Sequence, residues 1–460
     1  MKKIYFIGIN GIGMSGLAKI MKTKKYEVVG ADISVSSVSE EMEKMGIKIY
    51  RQHLADQMKD CNMVIASSAI KPDNPEYDYA KKNGIKILKR GELLAMLLNS
   101  ETGIAIAGTH GKTTTTSMMS SAILSLDPTI VIGGVLPEIG SNSKTGNSEY
   151  FVAEADESDN SFLYMYPKYS VITNVEEDHM ENHGTIENIK KSFSMFIDQT
   201  KIETIVCIDN KNIVEIINSK KLINQKIPQI TTYSARDRNA DIYATDIKIE
   251  DQKTIYDVCV HGENIGRFAL AIPGEHNILN SLPVIYLANK FGVPIEDIKE
   301  ALVNCKGAKR RYDILYNNLE KDIKIIDDYA HHPTEIKATL NGARSIEKGD
   351  IIVIFQPHRY SRIKFLLNKF KNAFDYATEI VLLPIYSAGE KDEFGVTIED
   401  LEHTILNKNV SIEKGKENIK EKIREKILNS NGHQVFMFMG AGDISKIAHD
   451  IANRLEKENG

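Results

Sequence analysis

The chain is poor in cysteine: four in 460 residues, at positions 61, 207, 259 and 305. No two lie close together and no CxxC occurs. That argues against a zinc site or a disulfide framework, and for reduced, buried thiols. An excess of charge of one sign is also missing. Fifty-eight basic side chains face 63 acidic ones, a net of −5, which argues against bulk electrostatic capture of nucleic acid. A small anionic substrate needs only a local cluster. No apolar run approaches the ~18 residues that span a bilayer, and there is no short-period repeat or low-complexity tract. Met1-Lys2-Lys3 before an apolar, glycine-rich stretch has the outline of a secretory signal, but Asn10 interrupts it. The glycines suit a strand, a turn and a helix better. The expectation is a mature cytoplasmic protein, with no membrane or nucleic-acid partner.

What the chain does have is a long series of short apolar runs alternating with helical patterns. Ile4–Ile9, Val28–Ala31 and Met63–Ala66 open it; Ile104–Ala107, Ile130–Val135, Phe151–Ala155, Val171–Val175 and Thr204–Ile208 continue it. Ile323–Ile326, Ile351–Phe355, Ile380–Leu383 and Val435–Met439 complete it. Continuous apolar strands between helices predict parallel sheets covered on both faces, hence an α/β class. Asn99–Gly103 and the basic segment Cys305–Asp313 read as joints, giving three domains at 1–100, 101–306 and 307–460. Residues 416–428, with Ile419, Ile423 and Ile427 four apart, read as an amphipathic surface helix. Nearly every polar cluster follows a strand end, the edge where open α/β sheets bind ligands.

The strongest cluster is Gly108-Thr109-His110-Gly111-Lys112-Thr113-Thr114, between a strand and a helix expected over 113–126. Glycines let backbone N–H groups wrap a phosphate, the lysine adds a point charge, and the next hydroxyl can ligate magnesium. Ile106 stands where the full GxxxxGK[ST] spacing has glycine. Glu154-Ala155-Asp156-Glu157-Ser158-Asp159 supplies the hard oxygens that magnesium wants. Asn174-Val175-Glu176-Glu177-Asp178-His179-Met180 offers a carboxylate–histidine pair, for metal or for acid–base work. At the N-terminus, residues 11–16 match GxGxxG, and Asp32 closes the next strand 21 residues beyond Gly11. A diphosphate fits such a turn, and Ser67 and Ser68 end the third strand in the same crevice. The last third carries Arg310-Arg311, Asp328-Tyr329-Ala330-His331-His332-Pro333 and Gln356-Pro357-His358-Arg359-Tyr360-Ser361-Arg362. Arginine forks at strand ends suit an anionic ligand.

Together these segments resemble the Mur ligases, the ATP-dependent amide ligases of peptidoglycan precursor synthesis. Gly11–Gly16, the phosphate loop, Glu154–Asp159, Asp178–Met180, Gly274-Glu275-His276-Asn277, Asp328–Pro333, Gln356–Arg362 and Ser387-Ala388-Gly389-Glu390 match in the family's order, end to end. Within the family the motifs are nearest to the branch that joins L-alanine to UDP-N-acetylmuramate. The resemblance implies an N-terminal Rossmann-like domain for the UDP-sugar, a central P-loop ATPase with a mostly parallel sheet, and a C-terminal Rossmann-like domain for the amino acid. It implies that Gly11, Gly13, Met14, Ser15, Asp32, Ser67 and Ser68 bind the UDP-sugar. Gly108 to Thr114, Asn277, Arg310, Arg311 and Asp328 would bind ATP, with the choice between the two arginines open. Thr113, Glu157 and His179 would hold Mg2+, or Mn2+ in its stead. Tyr329, His331, His358, Arg359 and Arg362 would bind the amino acid, and either His331 or His358 would take the proton from its amine. Lys112, Glu157, His179, His331 and His358 are thus the catalytic set, in a monomer or homodimer. Two departures, Asn10 in the first loop and Ala31 before Asp32, remove no charge. The rivals are a ligase that attaches a tripeptide to the same sugar in cell-wall recycling, and an NAD-dependent oxidoreductase. The oxidoreductase leaves the Gly-Lys-Thr loop and its acidic companion without a role.

Overall fold

The apolar runs are strands in the computed structural model, which describes residues 2–67, 69–222, 228–305, 307–407, 409–414, 416–430 and 432–459. Ser68 lies outside the described residues, as does position 306, the expected end of the middle domain. Tertiary contacts divide the chain into two compact units. One comprises Met1–Val175, Lys190–Tyr233 and Pro283–Ala301; the other comprises Glu176–Ile189, Ser234–Leu282 and Leu302–Gly460.

The first unit contains an N-terminal sheet of β1 (Lys3–Ile7), β2 (Glu27–Ala31), β3 (Lys48–Tyr50), β4 (Met63–Ala66) and β5 (Lys86–Lys89). Its order is β3-β2-β1-β4-β5, all parallel. The chain order reverses beside β1, so the loops after β1 and β4 meet at one crevice. Gly8 turns out of β1 at φ +79, and a Cβ there would lie 3.1 Å from that of Ser67. The same unit holds β6 (Thr102–Ala107), β7 (Thr129–Leu136), β8 (Ser141–Lys144), β9 (Tyr150–Glu154), β10 (Tyr169–Ile172), β11 (Glu203–Cys207) and β12 (Gln229–Ser234). Their order is β12-β11-β10-β6-β9-β7-β8, with only β8 antiparallel to its neighbour. Every residue of β6 is buried, as a strand covered on both faces must be. The helix expected over 113–126 runs Lys112–Ala122, and a short 3-10 turn, Leu124–Leu126, follows it.

The second unit opens with a meander that the apolar-run pattern does not reveal: β13 (Ile242–Glu250), β14 (Lys253–Val260) and β15 (Glu263–Leu270), all antiparallel. Its other sheet comprises β16 (Asp313–Asn318), β17 (Ile323–Asp328), β18 (Asp350–Phe355), β19 (Glu379–Leu382), β20 (Val410–Ile412) and β21 (Gln434–Met439). The order is β16-β17-β21-β18-β19-β20, parallel except for β16. One face packs against helices Pro333–Ile346 and Tyr360–Leu366. The other takes the isoleucines of helix Lys416–Leu428: Ile419, Ile423 and Ile427 are 2%, 4% and 2% exposed. The architecture is α/β throughout, with a Rossmann-like sheet at each end of the chain and a P-loop sheet between them in sequence. Among the described residues no helix is long and apolar enough to cross a membrane.

Candidate active site

In the first unit the phosphate loop is built between β6 and the helix Lys112–Ala122. Gly108 has φ +138, and a Cβ there would stand 2.0 Å from the Thr173 Oγ1, so only glycine fits. The loop is tied to the chain that follows β10. Thr109 N donates to Asn174 O (3.0 Å) and His110 N to Asn174 Oδ1 (2.8 Å), while Asn174 Nδ2 and Thr173 Oγ1 donate to His110 O at 2.9 and 2.6 Å. Asn174 is therefore a positioning residue. In the sequence Asn174 is merely the residue before an acidic string, with no signal of this role. Gly111, at φ +82, starts the helix.

Lys112 Nζ donates to Gly108 O (2.5 Å) and Thr109 O (3.1 Å), and lies 2.9 and 2.8 Å from the two carboxylate oxygens of Glu157. Burial works against its charge, but Glu157 outweighs burial and raises its pKa. The lysine is therefore cationic at neutral pH. Thr113 occupies the next helical position, and Thr114 is buried behind it. Glu154 accepts a hydrogen bond from Gly133 N (2.9 Å), and Asp156 one from Ser158 N (3.0 Å). Glu154 and Asp156 are thus held by the backbone, and Glu157 is the carboxylate aimed at the lysine.

The crevice of the N-terminal sheet presents backbone more than side chains. Gly11 precedes the helix Ile12–Thr23, whose first turn has no acid. Met14 and Ser15 are buried, and Ser15 Oγ turns back to Ile12 O (3.0 Å). Asp32 braces two loops: it accepts from Asn10 N (2.9 Å), Ser34 N (2.9 Å) and Ser34 Oγ (2.6 Å). Asn10, the departure noted above, donates to Ser34 O at 2.7 Å, so it stiffens the loop that glycine would leave loose. Gly13 is needed because Arg90 lies on it; a Cβ there would be 2.8 Å from Arg90 Cδ. Arg90 also reaches Asp156 (3.5 Å). Lone arginines carry no spacing signal, and the sequence reading missed this one. A cation over a glycine turn at a helix start is suited to a diphosphate. The expected result for Arg90→Ala is a KM for the nucleotide sugar raised about tenfold with kcat little changed. Steady-state kinetics with that substrate varied will check it.

The second unit gathers the rest. Asp178 and Arg362 form a two-pronged pair, Nε to Oδ1 at 3.2 Å and Nη2 to Oδ2 at 3.3 Å, both nearly buried. Burial opposes ionisation of Asp178, but Arg362 and His179 hold the carboxyl far below the usual range. Arg362 Nη1 faces His358 Nδ1 at 3.2 Å. The Arg362 guanidinium, expected at the amino acid, here engages Asp178 and His358. Arg359 differs. Its φ is +69, held by Arg359 N donating to Tyr386 O (2.8 Å). Its Nη1 lies 3.1 Å from Glu181 Oε1 and 3.9 Å from Glu390 Oε1. Glu390 is fixed in turn by Ser361 N (3.1 Å) and Ser361 Oγ (2.7 Å). His179, at φ +51, stands between two carboxylates: Asp178 at 3.6 Å from Nε2 and Glu181 at 3.5 Å from Nδ1.

His331 and His358 differ in which nitrogen is engaged. His331 Nδ1 faces two acceptors, Tyr329 O (2.9 Å) and Glu335 Oε2 (3.4 Å), so it carries the proton. Its Nε2 keeps the lone pair. His358 Nδ1 faces the Arg362 donor, so its proton is on Nε2. The His358 ring stacks on Tyr386 at 5.6 Å. Burial and Arg362 push both pKa values down, to about 3 for His331 and about 4 for His358. The arginine pair divides as well. Arg310 donates to Gly440 O (2.5 Å) and lies 3.4 Å from the buried Asp327. Arg311 lies 3.8 Å from an acid, Glu335, and both guanidinia lie over the Tyr329 ring. Asp328 accepts from Tyr312 N and Ala330 N, each at 2.8 Å, and burial raises its pKa to about 6. Asn277 Nδ2 donates to Pro273 O (2.8 Å), and its Oδ1 accepts from Asn280 (3.3 Å). Asn277 thereby shapes the turn, and Asn280, one helical turn on, joins it unforeseen.

Three family models match: "Mur ligase family, catalytic domain" over residues 3–102, "Mur ligase middle domain" over 106–288, and "Mur ligase, glutamate ligase domain" over 310–442. A UDP-N-acetylmuramate--L-alanine ligase of Fusobacterium nucleatum subsp. nucleatum is 57% identical over 464 residues, covering 99% of this chain and 97% of that protein. One from Aquifex aeolicus is 36% identical, covering 100% and 99%. Among solved structures, the UDP-N-acetylmuramate-alanine ligase of Thermotoga maritima aligns over the whole of both chains at a TM-score of 0.79 and 28% identity. A murein peptide ligase of Psychrobacter arcticus shares the fold over 99% of each chain, at a TM-score of 0.69 and 22% identity.

Proposed function

The chain belongs to the Mur ligase family, and we propose that its reaction joins L-alanine to the lactyl carboxylate of UDP-N-acetylmuramate at the expense of ATP. The observation that carries this reading is end-to-end identity of 57% with a ligase of that name. The three domains would divide at 1–100 for the UDP-sugar, 101–306 for ATP and 307–460 for the amino acid.

The chemistry has two stages. The lactyl carboxylate attacks the γ-phosphorus of ATP, and the bond to ADP breaks. The acyl phosphate so formed has a good leaving group where the carboxylate had none. The alanine amine then attacks the acyl carbon, and phosphate leaves from the tetrahedral intermediate. Charge neutralisation governs the first stage. The loop Gly108–Thr114 cradles the phosphates, and Lys112 turns from Glu157 to the transferred group. Magnesium, when bound, draws negative charge from the phosphate oxygens. Thr113 and Glu157 would supply the hard oxygens that suit it, and His179 would join them through one ring nitrogen while the carboxylate beside the other, Asp178 or Glu181, orients the ring. Arg311 serves the phosphates, because Arg310 is committed to Asp327 and Gly440. Asp328 takes the ribose.

The second stage needs a carboxylate clamp and a base. Arg359 is the clamp, since Arg362 is committed to Asp178. His331 is the base, since its Nε2 holds the lone pair, whereas that of His358 is turned to Arg362. The test is phosphate release with ATP, magnesium and UDP-N-acetylmuramate, comparing L-alanine, a tripeptide and no amine. Release that depends on L-alanine, with one alanyl residue added to the sugar nucleotide, supports the reading. Release with the tripeptide alone moves the protein to recycling.

A further inference from the structure

A narrow cleft in the second unit opens beside Arg359, and the mechanism above does not use its apolar lining, Met180, Phe365 and Leu366. Its floor is the Asp178–Arg362 pair. Its lining combines polar groups, among them Arg359 and Glu181, with apolar ones, Met180, Phe365 and Leu366. Leu366 is 2% exposed, whereas Phe365 is 51% exposed. An exposed phenylalanine beside a guanidinium is not core packing. Its ring is held edge-on by Phe394 at 5.9 Å between centroids, so the wall is a fixed surface. The cleft has room for about one water, and a methyl group displaces a comparable volume.

We propose that Met180, Phe365 and Leu366 set the size of the amino-acid side chain that the enzyme accepts. The inference rests on the ligase reading. A carboxylate seated on Arg359, where Glu181 lies at 3.1 Å, leaves the substrate Cβ two bonds away, against the apolar lining of the same cleft. A methyl fills that space. A second carbon must displace the Met180 or Phe365 side chain or leave the clamp. Glycine leaves the apolar wall facing water. One methylene in such a pocket is worth roughly 10–200-fold in discrimination, so alanine is preferred over L-2-aminobutyrate by a factor in that range.

The experiment measures kcat/KM for L-alanine and L-2-aminobutyrate in the wild type, Met180→Ala and Phe365→Ala, with Arg359→Ala as the clamp control. The expected result is an aminobutyrate-to-alanine ratio raised about tenfold or more in each wall variant. Arg359→Ala should raise KM for both amino acids and leave their ratio alone. A purely structural role for the wall would lower both activities together. A ratio within about twofold of wild type in both variants, while the wild type ligates alanine and Arg359→Ala weakens it, overturns the pocket and spares the ligase. A wild type that ligates no alanine overturns both. Phe365 is exposed enough that its truncation leaves the fold intact, so the test survives if Met180→Ala does not fold.

Discussion

Lys112→Ala is expected to reduce turnover by on the order of a thousandfold or more, because the transferred phosphoryl group loses its nearest fixed cation in a buried site. The difficulty is that Lys112 also neutralises Glu157, at 2.8 Å and with both side chains largely buried. Removing one member of such a pair leaves the other uncompensated and costs about 3–5 kcal/mol. Loss of activity alone therefore does not separate catalysis from folding. A double variant does. Lys112→Met with Glu157→Gln removes both charges, so its melting temperature should recover most of what Lys112→Ala loses, while phosphate release should stay at the background rate. Activity of Lys112→Ala within tenfold of wild type would remove the lysine from the mechanism. A double variant that regains activity along with stability would make the pair structural.

How much of this was legible in the sequence depends on the kind of signal. Strands such as β6, β18 and β21 are buried along nearly their whole length and appear as continuous apolar runs. Their C-terminal ends carry the polar clusters, so the binding edge was readable before any coordinate. The meander β13–β15 was not, because its strands alternate or run exposed, as in the last five residues of Ile242–Glu250. Nor was β8, whose sequence Ser-Asn-Ser-Lys has no apolar residue. Site chemistry divides along the same line. Residue types were readable and partners were not. Arg362 and Asp178 are 184 positions apart, and nothing local to either says that they neutralise each other. Asp32, placed by spacing from Gly11, also accepts hydrogen bonds from the backbone N–H of Asn10 and from Ser34, a bracing role that no local pattern announces. Arg90 and Glu181 have no motif of their own, and only folding brings them to the crevice and to Arg359.

His331→Gln is expected to lower kcat by roughly 10²–10⁴-fold at neutral pH, the usual contribution of a positioned proton acceptor. The loss should shrink as pH rises, because alanine itself then arrives increasingly as the free amine. Tautomers, not pKa values, distinguish the two histidines. At neutral pH both His331 and His358 are uncharged, since burial and Arg362 press their pKa values to about 3 and about 4. Both could accept a proton, but the lone pair of His358 is turned to Arg362, whereas among the described residues no donor is hydrogen-bonded to that of His331. Its low pKa makes it a weak base in the resting protein. An acyl phosphate beside it brings negative charge that offsets Arg362 and raises its affinity for a proton when the amine attacks. His358→Gln, by contrast, should raise the alanine KM more than it lowers kcat, because it disturbs Arg362 and the stack on Tyr386 without removing the acceptor. The measurement is kcat against pH for both variants. A His331→Gln deficit that stays constant up to the pKa of the alanine ammonium would show that the proton goes elsewhere. A pH-dependent deficit in His358→Gln instead would exchange the two roles.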